Sequence, residues 1–454
     1  MEVFIIQSKT YLTGRVIFRG DPGYHEARQN WNPFSDSYPL VFVFAQNHLD
    51  VSNAIIWAQE NKVPLRARSG RHALEREMSQ VKDGIVIDVS DMNHVRLDRE
   101  NGVAFVETGG TVGQIVKSLA QKGLMFPFGD SPSVGIGGIT LGGGIGPLCR
   151  SIGLISDNLI GVKMVDAQGK LLIANEEENS DLLWASRGGG GGNFGIATEY
   201  EFNLHCAPAK ATTFEIVWPW EQLEQVFDAW QNWAPFVDHR LGTSLEIGGK
   251  CNGLLHASGL FLGSKAELTN LLEPITSTGT PTEVNIQNLP WRVVVNNLLP
   301  ADPIPDPSSS KFSSAWVEEI WPDRAIRSMR SFLEKATGTE SNFYFLNWGG
   351  AVSEIPSDKT AFFWRKPKFY TEWSASWMDP SEARKNIALV TKTRENLDPF
   401  IKGSYVNVPD FNIKDFGPTY YGRNFDRLRK VKTKYDPSNV FNYPQSIPPF
   451  NHPR

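Results

Sequence analysis

Arg68-Ser69-Gly70-Arg71-His72 is the stretch on which the reading of this chain turns. Two glycine-rich stretches follow it. One is Gly135-Ile136-Gly137-Gly138, continuing through Gly142, Gly143, Gly144 and Gly146; the other is Gly188-Gly189-Gly190-Gly191-Gly192-Asn193-Phe194-Gly195. Glycine lets a ligand approach backbone N–H groups with no side chain in the way. A turn accounts for one such stretch but explains three poorly. Together they imply a large, charged, many-ringed ligand, to which His72 offers a nucleophilic nitrogen.

Outward from this segment, a βαβ pattern surrounds the first loop. Residues 40–45 and 64–68 read as strands, and 50–60 as a helix with Asp50 or Ser52 near its start. Residues 84–89 and 103–108 are further strands, and 111–121 a helix ended by Gly123. Residues 159–165 and 170–174 form a hairpin, 181–185 a short helix and 196–204 an alternating strand. Upstream, a helix is expected at 21–32. From 206 to about 395 the glycine density falls, and strands (213–218, 253–262, 343–348, 369–377) alternate with helices (220–233, 265–272, 323–335). This reads as a separate α+β unit with an antiparallel sheet. Residues 297–313 read as a loop within it.

A chain of 454 residues has room for two or three domains. Its 41% hydrophobic and 21% charged content is that of an ordinary soluble protein. A net charge of −5 without a basic block argues against nucleic-acid or anionic-membrane binding. Fourteen tryptophans and twenty-seven phenylalanines suit pockets for flat ligands. The three cysteines, Cys149, Cys206 and Cys251, lie far apart with no Cys-x-x-Cys, so no disulfide framework or metal site is expected, and buried thiols are. The apolar run in 1–7 is too short for a secretory leader, and a cytoplasmic location is expected. No stretch reaches membrane-spanning length.

The glycines match no simple nucleotide motif. A Walker loop needs Gly-Lys-Ser/Thr at its end, and none is present. Gly135-Ile136-Gly137-Gly138 lies too deep in the domain for a Rossmann turn, which belongs to the first strand and its helix.

The order of motifs instead resembles the berberine-bridge-enzyme-like FAD oxidases, of the vanillyl-alcohol-oxidase-type flavoprotein superfamily. Carrying the resemblance are Arg68 to His72, Ser131-Pro132-Ser133-Val134-Gly135-Ile136-Gly137-Gly138, Gly153-Leu154-Ile155-Ser156-Asp157-Asn158 and Arg187 to Gly195. Tyr405-Val406-Asn407, Tyr420-Tyr421-Gly422-Arg423-Asn424 and Lys434-Tyr435-Asp436-Pro437-Ser438-Asn439-Val440-Phe441 continue it to the tail. The resemblance covers nearly the whole chain from about residue 15, and it is to a compact, bacterial-type member. It implies an α+β fold: a two-part FAD-binding domain of the vanillyl-alcohol-oxidase/PCMH type plus an α+β substrate domain with an antiparallel sheet. The expected division is 1–205, FAD binding; 206–395, substrate binding; and 396–454, a segment returning to the FAD domain.

Position by position, the resemblance makes His72 the covalent ligand of the flavin 8α-methyl. Relatives often carry a second tether from a cysteine where this chain has Ser131. A hydroxyl is too weak a nucleophile to replace thiolate there, so FAD bound covalently through His72 alone is expected. Arg68, Ser69, Gly70 and Arg71 would hold the diphosphate. Gly135, Gly137, Gly138, Thr140 and Gly142 would follow the flavin and ribityl chain, Ile196 would meet adenine by its backbone, and Val134 would set dioxygen access. Tyr405 and Asn407 complete the expected cofactor set. Glu372 takes the place of the family's base, with Tyr370 on the same face of its strand and Tyr405 as the second candidate. Ile145, Trp364 and Trp373 favour an aromatic or polycyclic small-molecule substrate. The implied reaction moves hydride from a C–H beside oxygen or nitrogen to flavin N5, with dioxygen as acceptor. A dehydrogenase with another acceptor, or a structural protein such as a spore-coat component, are the alternatives.

Overall fold

The computed structural model describes residues 9–33, 37–300 and 308–450; the apolar run in 1–7 lies outside them. The first sheet contains β1 (Arg15–Phe18), β2 (Val41–Phe44), β3 (Leu65–Arg68) and β4 (Ile85–Asp88), in the order β1-β2-β4-β3. β2 and β3 both pair parallel to β4. Val41 to Phe44 are buried without alternation, the signature of a parallel strand covered on both faces. Helix α1 (Tyr24–Ala27) is a single turn where 21–32 was expected to be helical. Helix α2 (His48–Glu60) starts earlier than its apolar pattern suggests. Its cap is Asn47, whose side chain accepts from the N–H groups of Leu49 and Asp50.

The second sheet uses β5 (Val95–Asp98), β6 (Val103–Glu107), β8 (Leu159–Val165), β9 (Leu171–Ala174) and β10 (Ile196–Asn203); β7 (Leu124–Met125) pairs instead with β11 (His205–Cys206). Helix α3 (Val112–Ala120) opens on a reciprocal capping box between Thr111 and Gln114. Helix α4 (Ile136–Gly142) is made from the glycine ladder itself.

The third sheet is antiparallel, in the order β15-β12-β14-β13-β17-β18-β16. Its strands are β12 (Lys210–Val217), β13 (Leu241–Gly248), β14 (Leu255–Phe261), β15 (Glu283–Pro290), β16 (Ser309–Val317), β17 (Asn342–Asn347) and β18 (Phe369–Trp377). One face packs Leu245, Phe343, Phe345 and Trp373 against helix residues Trp230, Leu268, Met329 and Val390. The opposite face carries Leu346, Tyr370 and Trp316, which join Tyr405 and Phe362 in a separate aromatic cluster. The stretch expected to be a loop at 297–313 instead begins in the helix Trp291–Leu298 and ends inside β16, which pairs along its whole length with β18.

Candidate active site

The three glycine segments come together. β3 delivers the chain into Ser69–His72, where Arg71 takes a left-handed φ of 63°. A Cβ on Gly70 would lie 2.1 Å from the Gly135 nitrogen, and one on Gly135 would lie 2.2 Å from Ser69 Oγ. Only glycine on both sides permits that approach. Thr108 joins the same two loops, its carbonyl accepting from Ser69 Oγ at 2.7 Å and from the Gly137 N–H at 3.1 Å. The third segment meets the second where a Cβ on Gly191 would stand 3.9 Å from Gly138 Cα. A Cβ on Gly138 itself would meet nothing within 4 Å, although Gly135 to Gly137 are buried. Thr140 Oγ1 is buried with no partner among the described residues. An open backbone slot and an orphaned buried hydroxyl on one short helix fit a long polar cofactor such as FAD.

The Arg68 guanidinium is turned into the fold. It is buried, donates to Asp88 Oδ2 at 2.6 Å and to the Ala27 carbonyl at 2.8 Å, and so anchors the strand end that carries the loop. Ile196, buried at the start of β10, pairs with Val165, and Val134 packs partly buried against the core below α4.

His72 Nε2 lies 2.5 Å from Ser133 Oγ, and Ser133 lies 3.5 Å from Ser131 Oγ. The imidazole stacks on Trp31 with ring centroids 5.6 Å apart and planes 23° apart. Residues 30–32 grip the loop: the Trp31 N–H donates to the Arg71 carbonyl at 2.9 Å, Asn30 Nδ2 to Ala73 at 3.0 Å and Asn32 Nδ2 to Leu74 at 2.8 Å. The region expected to be helical thus uses its polar groups to hold the histidine loop. Sequence reasoning missed Ser133 and Trp31 as partners of His72; the Ser-Pro-Ser spacing at 131–133 was the available signal.

One register position repeats across the third sheet, on a face tied by the Tyr344–Asp130 bond to the loop that precedes the glycine ladder. Glu246 on β13 opposes Tyr344 on β17, which opposes Glu372 on β18, which opposes Ser314 on β16. Opposed residues project from the same face, so Glu246, Tyr344 and Glu372 form a polar row. Tyr370 donates to Glu372 Oε2 at 2.6 Å. Burial is the main influence on the Glu372 carboxyl; it outweighs that bond and, with Asp130 and Glu246 nearby, pushes the pKa up to about 7. Tyr344 donates to Asp130 Oδ2 at 2.9 Å, and Asn342 Nδ2 to Glu246 Oε1 at 2.9 Å. Asp130, Glu246 and Tyr344 were not expected. The polar alternation of 241–248 pointed to Glu246, but nothing local pointed to Asp130.

Tyr405 is buried, and its phenol oxygen accepts from the Gly144 N–H and from Asn407 Nδ2, each at 2.9 Å. Burial nevertheless raises its pKa. Asn407 also donates to the Ile139 carbonyl at 3.0 Å, and a Cβ on Gly142 would sit 2.0 Å from Asn407 Oδ1. Trp373 lies on the far face of the sheet, stacked on Phe343 at 5.5 Å, because odd positions of β18 point away from Glu372. It therefore does not line the substrate side. The cysteines also divide: Cys149 is buried, but Cys206 and Cys251 are exposed. No group of residues suited to a metal ion occurs among the described residues, and no helix among them is long and apolar enough to cross a membrane.

Similarity to known proteins makes this an FAD-dependent oxidoreductase, and the converging glycine cradle and the buried carboxylate fit that class. The family model described as an FAD binding domain matches residues 39–175, and that described as berberine and berberine like matches residues 404–448. The chain is 63% identical over 442 residues to the uncharacterized FAD-linked oxidoreductase YvdP of Bacillus subtilis, covering 97% of this chain and 99% of that one. Its structure is similar to that of wild-type BBE-like 1 of Physcomitrella patens, with a TM-score of 0.90, 28% identity and coverage of 97% and 98%. It is likewise similar to a variant of berberine bridge enzyme in complex with (S)-reticuline, with a TM-score of 0.87, 25% identity and 97% of each chain covered. The chain belongs to the berberine-bridge-enzyme-like family.

Proposed function

We propose that the protein is an oxidase that removes hydride from a C–H next to oxygen or nitrogen in a small organic substrate, with dioxygen as the final acceptor. FAD, held covalently through His72 alone, supplies the two-electron acceptor when bound. The observation that carries the reading is Glu372, a carboxyl with a pKa of about 7 on the sheet face that the Tyr344–Asp130 bond ties to the loop before the glycine ladder. A general base is most effective when its pKa lies near the working pH. Glu372 takes the proton from the substrate hydroxyl or amine as the carbon loses hydride. Tyr370 fixes one carboxyl oxygen and leaves the other to the substrate. Tyr405, whose phenol burial keeps protonated, serves as a hydrogen-bond donor and not as the base.

Trp316, Trp348 and Phe362 pack around these tyrosines and exclude water from the reacting atoms. Residues 1–205 and 396–454 hold the cofactor, and 206–395 cover it. Gly70, Arg71 and Ser69 meet the diphosphate, Gly135 to Gly142 the flavin and ribityl chain, and Ile196 the adenine. Val134 borders the path of dioxygen. A small-molecule substrate is supported by the complex of the related berberine bridge enzyme with (S)-reticuline. The test is an anaerobic screen of aromatic and polycyclic alcohols and amines for bleaching of the flavin, followed by air. Bleaching, then return of colour with one peroxide per turnover, is expected. Bleaching without return in air would replace the oxidase reading with a dehydrogenase, and no bleaching by any member would favour a structural role.

A further inference from the structure

Ser133 Oγ lies 2.5 Å from His72 Nε2, and it stands between that nitrogen and Ser131 Oγ, 3.5 Å further on. A serine hydroxyl can accept or donate, and the two polarities have opposite consequences. If Ser133 donates to Nε2, the imidazole proton sits on Nδ1 and neither nitrogen offers a lone pair for bonding. If Nε2–H donates to Ser133 and Ser133 donates onward to Ser131, the lone pair sits on Nδ1. Trp31, whose backbone N–H donates to the Arg71 carbonyl, stacks its ring on the imidazole and resists the flip that would exchange the ring edges.

We infer that Ser133 is the positioning residue for covalent flavin attachment, holding His72 as the Nε2–H tautomer so that Nδ1 forms the bond. The inference rests on the His72 tether. In the balanced reaction, one hydrogen leaves the imidazole and one leaves the 8α-methyl. The new C–N bond replaces the lost N–H and C–H bonds, and dioxygen takes both hydrogens with two electrons as hydrogen peroxide. The hydrogen given up by the imidazole is the one on Nε2, the position held by Ser133.

The test compares full-length wild type with Ser133→Ala and Ser133→Thr. Total flavin per chain is measured in the native proteins. The fraction retained in the acid pellet is followed with time as freshly purified protein is incubated in air with FAD. Ser133→Ala is expected to bind as much total flavin as wild type but to attach it roughly tenfold more slowly, the size of a lost orienting hydrogen bond. Ser133→Thr, which keeps the hydroxyl, restores the rate. Attachment at the wild-type rate in Ser133→Ala would overturn the role of Ser133 and leave the tether standing. Parallel loss of total flavin in both variants would also overturn it, by making Ser133 part of the binding wall. Release of flavin from acid-treated wild type would overturn the tether and this inference together.

Discussion

Tyr370 and Glu372 project from the same face of one strand, and the buried phenol donates to the carboxylate at 2.6 Å. The bond favours the charged carboxylate, whereas burial opposes it more strongly, and the balance leaves the carboxyl titrating at about 7. A base must be ionised to act, so flavin bleaching is expected to speed up as pH rises through about 7 and then level. Stopped-flow reduction at a series of pH values checks this. Glu372→Gln should lose that limb and slow reduction about 10²–10⁴-fold.

The same residue sets a stability cost of the opposite sign. Its folded pKa is raised from 4.5 to about 7, so its protonated form favours the folded state. That contribution is complete below the unfolded pKa and is lost as pH rises through the folded one. Glu372→Gln should therefore gain in melting temperature over wild type as pH passes from 4.5 to above 7. A constant difference across this range would contradict the assigned environment.

The proposed attachment through His72 alone has a simple chemical readout. Acid-precipitated wild type and Ser131→Ala should stay yellow, and His72→Ala should release its colour. Ser131 lies only one hydroxyl contact beyond the His72–Ser133 pair, so Ser131→Cys should yield a flavin linked to two peptides on digestion and mass spectrometry.

Arg365 and Asp157 form a bidentate pair, with both N–O distances 2.8 Å and the arginine fully buried. The pair joins the segment before β18 to the Gly153–Asn158 motif beneath the cradle. Removing one partner strands the other charge in the interior, so Arg365→Met should cost about 3–5 kcal/mol. Chemical denaturation measures it.

Gly70→Ala places a methyl 2.1 Å from the Gly135 nitrogen. Backbone must move to relieve the clash, and the movement parts two walls of the cradle. Flavin content per folded chain should drop sharply, while Gly138→Ala, with nothing within 4 Å, should fold normally and lose flavin only by occupying its space.

Legibility followed the range of the interactions. Leu159–Val165 and Phe369–Trp377 were read to the residue, because apolar and β-branched runs report strand burial locally. Residues 309–313, the start of β16, read as the end of a loop because prolines and serines crowd the stretch 297–313. Ser313 and Ser314 are in fact fully buried, and Ser314 bonds Ser404 at 2.9 Å and the Val408 carbonyl at 3.2 Å. Their partners come from the distant tail, which no local pattern sees. The turn Tyr24–Ala27 failed to lengthen into a helix for a similar reason: the polar groups of the following segment serve the histidine loop.

The cradle, its cofactor and the family were present in the sequence alone, since glycine spacing is a local property and exposes backbone wherever the chain folds. Glu372 was legible as the candidate base, but its environment was not. Glu372 acquires its pKa from burial and from Asp130 and Glu246, which strand register and domain packing bring beside it. His72 likewise meets Ser133 and Trp31 only when three separate segments close around it. Desolvation and tautomer choice depend on distances between remote parts of the chain, and only the tertiary structure decides those.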